Sequence, residues 1–137
     1  MNFYLIVNSG NSKEYFPSNK PYSFSVYLNK LFQLKNRWEV ALTEVTTKQK
    51  FTEFSQLYIC SNICEGTYID GQLLPLLRCV VFDKDEIGVK TFGNPYYMPV
   101  IKQGMTSLSF YINDYKQELL SLLTQSLTLT LHFKQIE

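Results

Sequence analysis

The sequence predicts an all-β protein, an antiparallel sandwich or jelly roll of about eight strands. The clearest observation is the segment Ser126–Lys134. Leu127, Leu129, Leu131 and Phe133 fall on one side, and Ser126, Thr128, Thr130, His132 and Lys134 on the other. That period of 2 belongs to a strand with one face in a core and one in water. The same alternation recurs in several other segments, with turn residues between them at fairly even spacing and no long helical pattern. Composition agrees. The 137 residues include 10 Tyr and 10 Phe, and such flat side chains pack well on a pleated surface.

Taken in order, residues 2–8 alternate Phe3, Leu5 and Val7 with Tyr4 and Ile6. They read as a strand buried on one face and partly covered on the other. Asn8-Ser-Gly-Asn-Ser12 is a turn cluster, and Pro17, Asn19 and Pro21 keep the next stretch irregular. Tyr22, Phe24, Val26 and Leu28 form a second alternating run, and Trp38, Val40 and Leu42 a third that extends to Thr47. Residues 56–64 give a fourth. A short strand at Thr67–Ile69 is bracketed by Gly66 and Asp70-Gly71, and Arg78–Phe82 is a compact buried strand. An acidic turn, Asp83–Gly88, follows. Val89 to Met98 is extended, interrupted by Gly93-Asn94-Pro95. Leu108, Phe110 and Ile112 alternate with Ser107, Ser109 and Tyr111. Between this strand and the last one, Tyr115–Thr124 clusters four leucines at a spacing that fits a short helix as well as a strand, and both readings stay open. The whole chain, residues 1–137, reads as one domain without repeats or linkers.

The totals exclude several functions. A net charge of +1 supplies no basic field for a nucleic-acid backbone. Apolar runs are short and interrupted, so no membrane span is expected. The N-terminal segment reads as a first strand rather than a signal peptide, so synthesis within the cell is expected. Three Cys, an odd number, suit a chain that does not rely on disulfides. Only 18% of residues are charged, below the roughly 25% of an average domain, which suits either a β-rich protein or one partly covered by partners.

No constellation for catalysis stands out, and neither enzyme activity nor a cofactor is expected. His132 on the polar face of the last strand lacks a placed nucleophile and orienting acid. Cys60 and Cys64 point the same way from a regular strand, roughly 13 Å apart, and cannot share a metal unless the strand breaks between them. Buried free thiols, with no metal site, are the expectation. Glu39 and Glu44 lie five apart, so a regular strand sends them to opposite sides, against a paired-carboxylate site. The Asp83, Asp85, Glu86 turn lacks the spacing of a calcium loop and reads as solvated. The aromatic pair Tyr96 and Tyr97, after Asn94-Pro95, either anchors a partner or sugar ring or packs at a strand entry. Phe3 and Tyr4 are candidates for contact with a neighbouring subunit.

Several blocks stand in a characteristic order. Phe3-Tyr-Leu-Ile-Val-Asn-Ser9 with Tyr15-Phe-Pro-Ser-Asn19 comes first, then Trp38-Glu-Val-Ala-Leu-Thr-Glu-Val45. Leu57-Tyr-Ile-Cys-Ser-Asn-Ile63 leads to Leu73-Leu-Pro-Leu-Leu-Arg78. Tyr97-Met-Pro-Val100 precedes Leu108-Ser-Phe-Tyr-Ile-Asn-Asp114 and Leu127-Thr-Leu-Thr-Leu-His-Phe133. This order resembles a family of short proteins encoded by Polinton (Maverick) elements and adintoviruses and by related animal sequences. The resemblance spans residues 3–134. Two stretches depart from the family pattern. Tyr115–Gln125 is Leu-rich and lacks the family's glycines, and Thr46–Lys50 replaces Tyr-Pro-type residues.

The resemblance implies a single jelly-roll minor capsid protein of the penton type, located in the virion. It implies assembly with itself, as a homopentamer, and docking among double jelly-roll major capsid proteins. Readings from other classes are a carbohydrate- or receptor-binding sandwich, such as a fibre head, and a domesticated capsid-derived interaction protein. Two apolar side faces on opposite edges would favour the ring; an exposed aromatic platform with satisfied polar neighbours would favour sugar binding.

Overall fold

In a computed structural model of the chain, residues 2–101 and 104–136 are described, without the side chains of Lys30 and Phe32. Among the described residues there are eleven strands and no helix. They are β1 (Asn2–Asn8), β2 (Ser23–Gln33), β3 (Arg37–Thr47), β4 (Ser55–Ser61), β5 (Thr67–Ile69), β6 (Gln72–Leu74), β7 (Leu76–Phe82), β8 (Gly88–Thr91), β9 (Met98–Pro99), β10 (Gly104–Asn113) and β11 (Leu127–Ile136).

Nine of these strands make two facing antiparallel sheets. One runs β1-β11-β3-β8, with β9 also on β3; the other runs β2-β10-β4-β7. Strands that neighbour in the sheets are mostly distant in sequence, which is the wrapped Greek-key connectivity of a jelly roll. The expected fold is therefore the observed one. The strand count rises from about eight to eleven for local reasons. Gly93-Asn94-Pro95 divides the extended stretch into β8 and β9, since proline cannot donate to a ladder. Asp70-Gly71, both at positive φ, closes β5 and β6 into a small hairpin beside the sandwich. The undecided segment Tyr115–Thr124 forms neither helix nor strand. It is a run of turns with one β-bridge, Asn113 to Leu119, and Gln49 Oε1 accepting from Thr124 N–H at 2.9 Å, with Leu120 and Leu123 tucked under it into the core.

The core fills the space between the sheets. Phe24, Val26, Trp38, Val40, Leu42, Leu108, Phe110, Ile112, Leu127, Leu129 and Leu131 are all buried, as their alternation requires. Phe110 stacks on Phe24 and Phe82 on Phe51. Each such side chain contributes roughly 1.5–3 kcal/mol relative to exposure.

β3 departs from regular alternation. Thr130 of β11 pairs with Glu44, but Leu131 pairs with Leu42, so Thr43 is an extra, bulged residue. The bulge shifts the phase. Trp38, Val40 and Leu42 face the core before it, and Val45 and Thr47 after it. Glu39 and Glu44 consequently share the outer face, opposite Lys134 and Thr130. This corrects the expectation that they point to opposite sides. They do not form a carboxylate pair, because Lys134 takes Glu39 at 3.7 Å.

Leu129→Ala should destabilise the fold by about 2–5 kcal/mol, through lost burial and a residual cavity. Thr130→Ala, one residue along on the half-exposed face, should cost far less in the monomer. Thermal melts of the two variants check this; equal, large losses would contradict the one-sided burial of β11.

Candidate interaction surface

The outer face of the first sheet carries a connected set of aromatic and charged side chains. β1 and β11 pair in unbroken register, which sets Tyr4 directly across from His132. Ser9 N–H donates to Leu127 C=O at 3.0 Å. By alternation Tyr4 and His132 form a non-hydrogen-bonded pair, the kind in which side chains come closest. Their rings stack with centroids 4.5 Å apart. On the other side, Tyr97 meets His132 edge-on and its Oη lies 2.8 Å from His132 Nδ1. Lys134 Nζ sits 4.7 Å from the Tyr97 ring centroid and reaches Glu39. His132 is therefore the centre of a surface cluster, held between two tyrosines.

Two of the four aromatic candidates meet there and two do not. Tyr4, 63% exposed, and half-buried Tyr97 flank His132. Phe3 turns to the core side, stacked on Phe133 at 4.8 Å and 5.5 Å from Trp38. Its odd position in β1 requires this, so it lies away from the outer face. Tyr96 faces Arg78. The Arg78 guanidinium lies 4.0 Å from the Phe92 ring and 4.3 Å from the Tyr96 ring, and donates to Asn94 C=O at 3.1 Å. Arg78 thereby pins the 92–96 loop, which in turn delivers Tyr97 to His132. Sequence reading missed Arg78 and Lys134. Neither has a local signal, because each acts through a partner brought near by sheet topology.

Some of the large exposed apolar side chains lie on opposite sides of the sandwich, while others, such as Phe54, Tyr68 and Leu122, lie elsewhere. Tyr4, Ile6, Tyr15 and Tyr27 lie along the β1/β2 side, with Tyr15 and Tyr27 stacked 4.3 Å apart. Val81, Ile87 and Val89 lie along the β7/β8 side.

The thiols belong to no cluster of metal-ligand residues among the described residues. β4 ends at Ser61, so the break that zinc binding would need does occur, and Cys60 and Cys64 are near neighbours in the interior. Both are buried. Burial pushes Cys60 up to about 11, against a hydrogen bond from Tyr111. Burial and then the neighbouring Cys60 push Cys64 up to about 12. Among the described residues no cluster of three or more potential ligands exists. Cys79 lies apart, beside Tyr58, its thiol also raised by burial. The acidic turn is solvated as expected. Glu86 accepts from Asp83 N–H at 2.9 Å and pairs with Lys90, which holds its carboxyl below the usual range.

No protein-family model matches the sequence, and no curated protein matches it. The fold does match solved structures. The chain is similar to the mavirus penton protein, with a TM-score of 0.62 and 9% sequence identity, over 99% of this chain and 100% of that one. At that identity the likeness is one of fold. The Drosophila NLP-core, a pentamer-forming and histone-binding protein, aligns over 98% of each chain at 9% identity, with a TM-score of only 0.40. That value is too low to bear on the fold.

Buried Cys60 and Cys64, with half-buried Tyr111 against Cys60, should make the protein lose stability in alkali. Burial pushes Tyr111 up to about 12 as well. In the unfolded chain a thiol titrates near 9. Below that pH both states hold the proton and nothing is lost. Between about 9 and 12 the unfolded state releases protons that the folded state keeps, so stability falls as pH rises. Each thiol accounts for roughly 2–4 kcal/mol over that range. Chemical denaturation from pH 7 to 11 should show a plateau, then a decline that Cys64→Ala partly removes. A flat profile to pH 11 would contradict the burial of these thiols.

Proposed function

We propose that this chain is a minor capsid subunit of the penton type, from a Polinton- or adintovirus-like element, acting in the virion without chemistry of its own. The observation that carries this reading is the end-to-end correspondence with the fold of a penton protein. A fold alone does not fix a function. The ordered sequence blocks from Phe3 to Phe133 add independent support, as does the distribution of exposed apolar side chains.

The subunit is read as a closed homopentamer docked among double jelly-roll major capsid proteins. A ring of identical subunits needs two different, complementary faces that meet head to tail and close by rotation. The Tyr4–His132–Tyr97 face with Ile6 on one side, and Val81, Ile87 and Val89 on the other, are the two surfaces assigned to this contact. A second reading is favoured by the same cluster. The exposed Tyr4 ring beside Glu39, Lys134 and His132 has the make-up of a sugar-stacking platform, as in a fibre head.

Light scattering at several concentrations should give a discrete mass of five subunits, with interfaces of more than about 1,000 Å² each. Tyr4→Asp should release monomers that remain folded by circular dichroism, since the Tyr4 side chain lies outside the core. A protein that stays monomeric at high concentration and does not associate with capsids would overturn the penton reading. Sugar titration monitored at the Tyr4 and His132 resonances tests the second.

A further inference from the structure

Among the described residues the main paths of the two large sheets end in four edge strands, β1, β8, β2 and β7, and the last three are blunted. β2 is capped by side chains that stand in for a neighbouring strand. Asn19 accepts from Ser25 N–H at 2.9 Å and donates to Ser25 C=O at 2.8 Å, while Ser12 Oγ accepts from Tyr27 N–H at 3.1 Å. The register of β2 then breaks between its Tyr27 and Phe32 pairs. β8 has only four residues and carries Lys90, and β7 carries Arg78, tied to the 92–96 loop. Such devices keep edges from pairing with other chains.

β1 has none of them. Its seven residues, Asn-Phe-Tyr-Leu-Ile-Val-Asn, include no charge, proline or glycine, and its pairing with β11 is unbroken. Alternation from the Ser9–Leu127 bond turns the backbone of Tyr4 and Ile6 away from β11. The outward carbonyl of Asn8 is taken by Asn11 N–H at 3.2 Å. The N–H and C=O of Tyr4 and of Ile6 have no protein partner among the described residues. Beside this open edge a groove of about 440 Å³ runs between β1 and β2, within the ~300–1,000 Å³ of ligand sites. Leu5, Val7, Val26 and Leu28 line its apolar part, Asn8 and Asn29 its polar part, and no lining residue is charged.

We infer that the β1 edge is a strand-addition site for an extended, uncharged, apolar segment of another chain. The segment would continue the first sheet, bonding the backbone of Tyr4 and Ile6 and sending alternate side chains into the groove. Electrostatics selects its composition, because a charge placed in this groove would meet no counter-charge. A second copy's β1 fits less well. Its inward side chains are already committed to its own core, so it leaves the groove unfilled. The inference stands on the edge and the groove, independently of the capsid reading.

The test uses the whole protein and a blocked heptapeptide of alternating threonine and valine, followed by NMR and amide hydrogen exchange. Saturable binding is expected, with shifts confined to β1 and the groove and added protection at the amides of Tyr4 and Ile6. Ile6→Pro removes one outward N–H at an edge, where proline is tolerated, and should weaken binding at least about tenfold, the loss of a single good contact. Ile6→Ala keeps that N–H and should bind within about twofold. The peptide with its central valine replaced by glutamate should bind at least about tenfold more weakly. The inference is overturned by no binding up to about 1 mM, by shifts elsewhere, by equal losses in both variants, or by equal binding of the glutamate peptide. Protection of Tyr4 and Ile6 that grows with protein concentration alone would overturn it in favour of a second copy.

Discussion

The first sheet depends on β11 lying between β1 and β3. Among the described residues β1 has no other strand partner, and β3 reaches β1 only through β11. What holds β11 there is its alternation. Leu127, Leu129, Leu131 and Phe133 are each essentially fully buried between the sheets, and a slip of one residue would move all four to water. The same constraint that fixes the core fixes the surface. With Leu131 pointing inward, His132 must point outward, and unbroken pairing with β1 then puts Tyr4 over its ring.

The bulge at Thr43 is the second constraint, and it acts on the surface through the loops. Thr43 accepts from Phe92 N–H through its carbonyl at 3.1 Å and donates through Oγ1 to Thr130 C=O at 3.2 Å. It therefore anchors the start of the 92–97 loop to the centre of the sheet. Arg78 holds the middle of that loop from the other sheet, between two aromatic rings. Tyr97 arrives on His132 because both anchors are in place. A bulge next to a surface site commonly re-aims side chains in this way. Here the residue it re-aims is Glu44, which joins Glu39 on the outer face.

The parts of this architecture legible in the sequence are those set by local period. β11, β10 and the first half of β2 alternate cleanly, and their buried residues follow directly. The bulge was also written there, in a form easy to pass over. The apolar positions of β3 run on even numbers through Leu42 and resume on odd numbers at Val45, a phase slip that one extra residue explains. The Leu-rich stretch after Asn113 was undecidable, because it closes one end of the sandwich by irregular turns, and no period describes such turns. The surface cluster was half legible. Tyr4, Tyr97 and His132 could each be marked as outward or aromatic, but their meeting depends on the register between strands about 130 residues apart in sequence, and pairing of that range leaves no local trace.

The low share of charged residues gains a structural meaning from where charge is missing. Sheet proteins commonly place lysine, proline or bulges at exposed edges, since an uncovered flat edge invites pairing with other chains. This chain does so at β2, β7 and β8 and spends polar side chains such as Asn19 on the task. At β1 it combines high β-propensity, no charge and an open backbone over seven residues, which is also the composition of an aggregation-prone segment. A strand of that kind is a liability if it stays bare. Its retention beside an uncharged groove, in a fold that protects its other edges, is most simply explained if another chain normally covers it.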